Sequence, residues 1–162
     1  MSQTIDPRVD IGHVHLKVSD LERSLAFWVG VLGFELQQRL GESAAFISAG
    51  GYHHHIGLNT WQSRGGSAPA RGTTGLYHVA ILYPTRRDLA LALRRVMAAG
   101  VPLQGASDHG VSEAIYLADP DGNGIELYWD LPREERPHKP DGEIDMYTKP
   151  LDLEGLLAET AG

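Results

Sequence analysis

Residues 108–130 read DHGVSEAIYLADPDGNGIELYWD, and this stretch decides the fold around it. Its apolar and polar residues predict two strands, at 112–118 and 124–130. Between them, residues 119–124 combine Asp, Pro, Gly and Asn in a way that is typical of a turn. The stretch therefore predicts a hairpin that places Tyr116 and Glu126 on neighbouring strands.

The elements before and within this hairpin occur in the same order twice. The first series is a strand, a helix and three strands, predicted at 11–18, from Ser19 or Asp20 to about Leu32, and at 34–40, 44–49 and 52–60. The second series is predicted at 75–83, 86–99 after the N-cap Thr85, near 101–105, and at 112–118 and 124–130. A repeated βαβββ order predicts an α+β fold in which two modules form an open, cupped mixed β-barrel.

These limits divide the chain into two modules of a single domain, residues 1–162. Module one spans about 10–60 and module two spans 75–130, and the linker at 61–74 is rich in Gly, Ser and Pro. The tail, 131–162, is polar and Pro-rich up to residue 150, so that part is predicted to be irregular. A short amphipathic helix is predicted at 151–161, which packs either on the body or on a second subunit.

Composition excludes several classes of protein. The chain has 162 residues, no cysteine and a net charge of -7. The absence of cysteine excludes disulfides, Fe–S clusters and thiolate zinc sites. No basic run points to nucleic acid, and no apolar run approaches the length of a membrane span. The first residues lack the core of a signal peptide, so a cytoplasmic location is expected.

His13 and His78 lie near the starts of the equivalent first strands of the two modules. Inward faces of equivalent strands converge, so both imidazoles are able to point into one cavity. Together with Glu126 they suggest a facial triad of two histidines and one carboxylate, which suits Fe(II). His15 shares a strand face with His13 and remains a rival ligand. A lone strand histidine is more often structural, and Glu126 alone could be a solvent-facing residue.

The three consecutive histidines His53, His54 and His55 fall in a predicted strand. Adjacent side chains of a strand point to opposite faces, so the three cannot all face one cavity. The tract could be metal-binding surface, or it could hold one general acid/base. His109 and Tyr116 could be a turn residue and an aromatic at the core edge, and Tyr116 gains a catalytic role only if Glu126 is a ligand.

Three motifs stand out: His109 with Ile115-Tyr116, DPDG at 119–122 and Glu126; GYHHHIGL at 51–58; and GHV at 12–14 followed by SDLERSLAFW at 19–28. They resemble the type I extradiol ring-cleavage dioxygenases of the vicinal oxygen chelate superfamily, over about residues 10–150. Trp28 stands where that family commonly has Tyr, and the chain has two modules where many members have four. Taken as a whole, the sequence most resembles the catechol-2,3-dioxygenase group.

The resemblance implies a role for each matching residue. It implies that His13, His78 and Glu126 hold Fe(II), or Mn(II) or another divalent metal. It implies that His54 is the acid/base, in preference to its neighbours, and that His109 and Tyr116 hydrogen-bond the substrate oxygens. The implied partners are a small aromatic molecule of the catechol type and O2, with a homodimer left open.

Two other functions occur on the same fold, because fold alone does not settle function. One is a glyoxalase-type lyase or isomerase, which usually takes a fourth metal ligand from the last strand of the first module. That strand offers histidines, Gly57 and Asn59 here but no carboxylate. The other is a non-catalytic small-molecule-binding resistance protein, which usually lacks the set of metal ligands.

Overall fold

A computed structural model describes residues 4–161, and its first half forms a four-stranded sheet. In space the strands run in the order β1-β4-β3-β2, with β1 parallel to β4 and the other pairs antiparallel. The elements are β1 (Val14–Lys17), α1 (Leu21–Trp28), β2 (Glu35–Leu40), β3 (Ala44–Ser48) and β4 (Ile56–Asn59).

The second half repeats this arrangement and adds one strand. The order is β5-β8-β7-β6-β9, and β5 is again parallel to the last strand of its module, β8. The repeat confirms the predicted α+β fold of two βαβββ units. The elements are β5 (Val79–Leu82), α2 (Arg86–Ala98), β6 (Gly105–Asp108), β7 (Ser112–Ala118), β8 (Gly124–Asp130), β9 (Lys149–Pro150) and α3 (Leu153–Ala158), with a 3-10 turn at Arg133–Glu135.

Both long helices begin at the predicted caps. The carboxylate of Asp20 accepts a hydrogen bond from the backbone N–H of Arg23 at 2.9 Å, and the hydroxyl of Thr85 accepts one from Asp88 at 3.1 Å. Each bond satisfies one of the amide groups that a helix start leaves free. The regular part of the first helix ends at Trp28, earlier than predicted, and residues 29–32 continue as turns in which the amide of Val31 donates to the carbonyl oxygen of Phe27 at 2.9 Å.

The core lies between the helices and one face of each sheet. Trp28 from α1 and Leu93 from α2 are fully buried in the same hydrophobic cluster as the strand residues Ile47 and Leu127. Because this cluster contains residues of both modules, the two sheets share one core, and each sheet has its other face available for polar side chains.

A largely buried carboxylate joins the two modules at one end of this core. Asp121, in the turn between β7 and β8, has a side chain that is 9% exposed. Its Oδ1 lies 2.6 Å from Nη2 of Arg23 on α1, and its Oδ2 accepts from Oγ of Ser24 at 3.4 Å. The guanidinium of Arg95 on α2 also reaches the carbonyl oxygen of Leu32.

Three regional predictions were wrong in detail. The strand predicted near 101–105 lies at Gly105–Asp108, since Pro102 has no N–H to give to a ladder. Residues 52–55 precede β4 rather than belong to it, after a turn in which Gly50 and Gly51 have φ of 69° and 77°. The tail is not wholly irregular, because β9 pairs with β6.

The tail helix packs on the body of its own chain. It lies within the predicted limits, contacts α2, and buries Leu156 completely. Within residues 4–161, no helix is both long and apolar enough to cross a membrane.

The ion pair between Asp121 and Arg23 should stabilise the folded protein at the junction between the modules. Replacing Asp121 with Asn removes the charge that binds Arg23, and should lower the free energy of unfolding in urea by about 1–3 kcal/mol. Asp6→Asn is the control, because the ion pair between Asp6 and Arg8 lies on the surface. Loss of that pair should leave the midpoint of urea unfolding unchanged. Equal midpoints for Asp121→Asn and wild type would show that the junction does not depend on this charge.

Candidate active site

The register of β8 turns Glu126 away from the core. Its neighbours Ile125 and Leu127 are buried, while Glu126 projects from the opposite face because side chains alternate along a strand. Glu126 pairs with Ala80 on β5 and with Tyr116 on β7. We call this face of β5–β8, and the corresponding face of β1–β4, the open faces.

His78 is adjacent to Glu126 on this face. It immediately precedes β5, and its Nε2 lies 2.9 Å from Oε2 of Glu126, with the side chains 29% and 15% exposed. One imidazole nitrogen and one carboxylate oxygen thus converge in a partly sheltered position. This is donor chemistry that suits a divalent first-row metal ion.

Tyr116 and His109 extend the contact between His78 and Glu126 into a chain of four side chains. The hydroxyl of Tyr116 donates to Oε1 of Glu126 at 3.1 Å, and Nε2 of His109 lies 2.8 Å from the same hydroxyl. Burial, followed by the charge of Glu126, raises the pKa of Tyr116 to about 12. The phenol is therefore protonated near neutral pH, and its hydroxyl donates to the carboxylate of Glu126.

Residues of the tail contact the ring of His109. The sequence did not predict these contacts. Nδ1 of His109 lies 3.1 Å from the carbonyl oxygen of Tyr147 and 3.2 Å from Oγ1 of Thr148. The amide of Tyr147 donates to the carbonyl of His109. Gly110 has φ of 76°, and a Cβ there would lie 2.6 Å from the Tyr147 ring. Such a short tail strand carries no periodic pattern, so sequence analysis had no signal for these contacts.

The open face of the first sheet carries a second group of side chains. The ring centroids of His13 and His54 are 4.4 Å apart, and the ring of Phe46 lies 5.0 Å from that of His54. Nδ1 of His54 is 2.8 Å from Nδ1 of His53. Partial burial, followed by the neighbouring charges of His13 and His53, lowers the pKa of His54 below its ordinary value. A neutral His54 is suited to accept a proton.

His15 and His55 occupy separate positions. His15 pairs with Gly57, and a Cβ on Gly57 would lie 2.9 Å from three atoms of the His15 ring. The ring is flanked by Phe46 and Trp61. His55 is used locally, since its Nδ1 accepts from the amide of Ala49 at 3.3 Å.

The structure brings the predicted site residues together in two groups, one on each sheet. His78, Glu126, Tyr116 and His109 form one, and His13 with His54 forms the other. A crevice of about 270 Å³ between β1 and β5 is lined by His13 and by Ala80, the strand neighbour of Glu126. No three histidine or acidic side chains within residues 4–161 already surround a single point as metal ligands. The donor types fit a metal ion, and two of the three predicted donors are in contact.

The tail contact predicts a specific effect of Gly110→Ala. Alanine at a positive φ costs about 1 kcal/mol, and here its Cβ must also displace Tyr147. We expect a loss of unfolding free energy larger than that of Gly100→Ala, where φ is 67° and nothing lies within 4 Å of the new Cβ. Hydrogen exchange at the Tyr147 amide should accelerate in Gly110→Ala alone. Equal exchange rates in the two variants would contradict the contact.

Comparisons with known proteins agree with this fold. The chain is 43% identical over 149 residues to a catechol-2,3-dioxygenase of Bacillus subtilis, covering 92% of this chain and 51% of the relative. It is 30% identical over 129 residues to biphenyl-2,3-diol 1,2-dioxygenase 3 of Rhodococcus globerulus, covering 78% of this chain and 65% of the relative. The chain thus spans about half to two-thirds of the length of these curated relatives.

Solved structures give the same result at lower identity. A glyoxalase/dioxygenase from Nostoc punctiforme has a TM-score of 0.64 at 18% identity, covering 82% of this chain and 99% of that one. Lactoylglutathione lyase from Agrobacterium tumefaciens has a TM-score of 0.60 at 22% identity, covering 76% and 96%. At these identities the likeness shows the fold alone.

A family model matches residues 10–127, most of both βαβββ units. The match confirms the superfamily indicated by the three sequence motifs, and the relatives confirm the resemblance to ring-cleavage dioxygenases. The chain belongs to the Glyoxalase/Bleomycin resistance protein/Dioxygenase superfamily.

Proposed function

We propose that this protein is a metal-dependent extradiol dioxygenase that opens a catechol-type ring with O2. The observation that carries the proposal is the connected line of His78, Glu126, Tyr116 and His109 on one open face. It joins two candidate metal ligands to two hydrogen-bonding groups. The names of the curated relatives support the same reaction class.

The proposed ligands are His78, Glu126 and His13, holding Fe(II) or Mn(II). When bound, such a metal supplies a Lewis acid and a site where the aromatic substrate and O2 meet. His13 has the same position before β1 that His78 has before β5, which supports its role as the third ligand. It has to approach His78 and Glu126 for all three to bind one ion.

The remaining residues bind the substrate and move its proton. In one tautomer of the His53–His54 pair, Nε2 of His54 is free to accept the proton of a catechol hydroxyl. The lowered pKa of His54 keeps it neutral before that transfer. Tyr116 and His109 lie next to Glu126 and would exchange their mutual contact for hydrogen bonds to the substrate oxygens, while the tail contacts hold His109 in place.

The lyase alternative meets a structural obstacle at Gly57. Val14 pairs with Ile56 just as Val79 pairs with Ile125, so Gly57 occupies in the first sheet the place of Glu126 in the second. A glycine there offers no fourth ligand, and the ring of His15 covers it.

The proposed partners are therefore a small aromatic molecule and O2. A cytoplasmic location and a homodimer stay predictions from the sequence.

Metal binding provides a test that does not depend on turnover. Anaerobic titration with Fe(II) or Mn(II) should show one ion per chain, and Glu126→Gln should weaken binding by at least about 100-fold because it removes a charged ligand. His138→Gln, at an exposed tail histidine, should bind like wild type. If Glu126→Gln kept wild-type affinity, Glu126 would not be a ligand.

Oxygen consumption tests the reaction itself. The Fe(II)-loaded protein should take up O2 with catechol and release a yellow ring-opened product. His54→Gln should lower kcat by about 100-fold or more while one metal per chain stays bound, because general acid/base groups contribute that much. The His138→Gln protein is again the matched control. Absence of O2 uptake by the metal-loaded wild type with catechol and its 3- or 4-substituted forms would refute the proposal.

A further inference from the structure

A second cavity lies along strand β1, and its wall includes His15, two residues along the strand from the proposed metal ligand His13. It has a volume of about 450 Å³ and is lined by His15 and Lys17 of β1 and by the segment that follows β4. Residues 13, 15 and 17 share one strand face, so Lys17 begins about 13 Å along the strand from His13. The flexible stem of lysine allows its ammonium group to turn back over His15.

The charge of this cavity is set by Lys17. Lys17 and Asp121 are the lining residues with a full charge at neutral pH, and Asp121 is neutralised by Arg23 at 2.6 Å. Within residues 4–161, Lys17 forms no hydrogen bond or ion pair that would neutralise it. The cavity therefore presents one uncompensated positive charge on a chain whose net charge is -7.

His15 is held in the wall of the same cavity. Glycine at 57 leaves the space that its ring occupies, and a side chain at that position would collide with the ring. Glycine inside a strand is unfavourable in itself and marks a close approach of another group. The ring nitrogens of His15 make no hydrogen bond within the described residues, so they are available to a bound molecule.

We propose that this cavity binds an anionic ring substituent, so that the preferred substrate is a catechol carrying a carboxylate on a short side chain. The inference rests on the proposed function for the position of the ring near His13 and His54. The carboxylate then meets the ammonium group of Lys17, with His15 in the wall between the two. Charge-assisted hydrogen bonds of this kind are among the stronger polar contacts in proteins.

The test compares an acid with its uncharged amide. Under anaerobic conditions, where no turnover occurs, calorimetry should show that the metal-loaded protein binds 3-(3,4-dihydroxyphenyl)propionate about tenfold more tightly than the corresponding amide. Lys17→Met should abolish this preference without changing the affinity for the amide. Lys17→Arg should retain most of it.

Lys139→Met is the matched control, since it removes the same charge from a tail residue paired with Glu143. It should keep the full preference for the acid, which separates a local contact from the effect of net charge. Equal affinity of wild type for acid and amide, or an unchanged preference in Lys17→Met, would overturn the proposal.

Turnover distinguishes this proposal from the proposed function. In air, Lys17→Met should raise KM for the acid about tenfold and leave kcat for unsubstituted catechol unchanged. Cleavage of catechol with no preference for the acid would sustain the dioxygenase and refute the carboxylate site. A preference for the acid in anaerobic binding without any O2 uptake would sustain the site and refute the dioxygenase.

Discussion

The strand register at Glu126 places this carboxylate on the open face of the second sheet, next to Tyr116 and His78. Glu126 is paired with Ala80 on one side and with Tyr116 on the other, and Ile125 and Leu127 anchor the same strand in the core. A slip of one residue would bury the carboxylate and expose the two apolar side chains. Burial of Ile125 and Leu127 therefore fixes the register, and the candidate site is formed by side chains on the opposite face of the strand.

Much of this arrangement could be predicted from local sequence signals. The turn at 119–124 predicted the β7–β8 hairpin, and with it the neighbouring positions of Tyr116 and Glu126. The caps Asp20 and Thr85 marked the helix starts, because capping is a contact between near neighbours in sequence. The repeated βαβββ order then predicted the fold, since the topology of each unit follows from its elements.

The unpredicted parts depend on contacts between distant residues. The tail residues Tyr147 and Thr148 contact His109 directly, just before the strand Lys149–Pro150, which is too short to produce periodicity. His53 to His55 lie outside β4, because the turn at Gly50 and Gly51 delays the strand. The reason for a glycine at position 57 could not be predicted from the sequence, because the ring of His15 that occupies the space beside it lies on another strand.

The division of the site between two sheets gives the junction of the modules a chemical consequence. Asp121 binds Arg23 and so ties the β7–β8 turn to α1, at the end of the cavity that contains Lys17. The same contact neutralises the carboxylate that would otherwise compete with a substrate anion for Lys17. The same ion pair thus links the two modules and leaves the cavity positively charged. The shared hydrophobic core sets the relative position of the sheets, and this ion pair adds a charged contact at their junction that also leaves Lys17 as the uncompensated charge of the cavity.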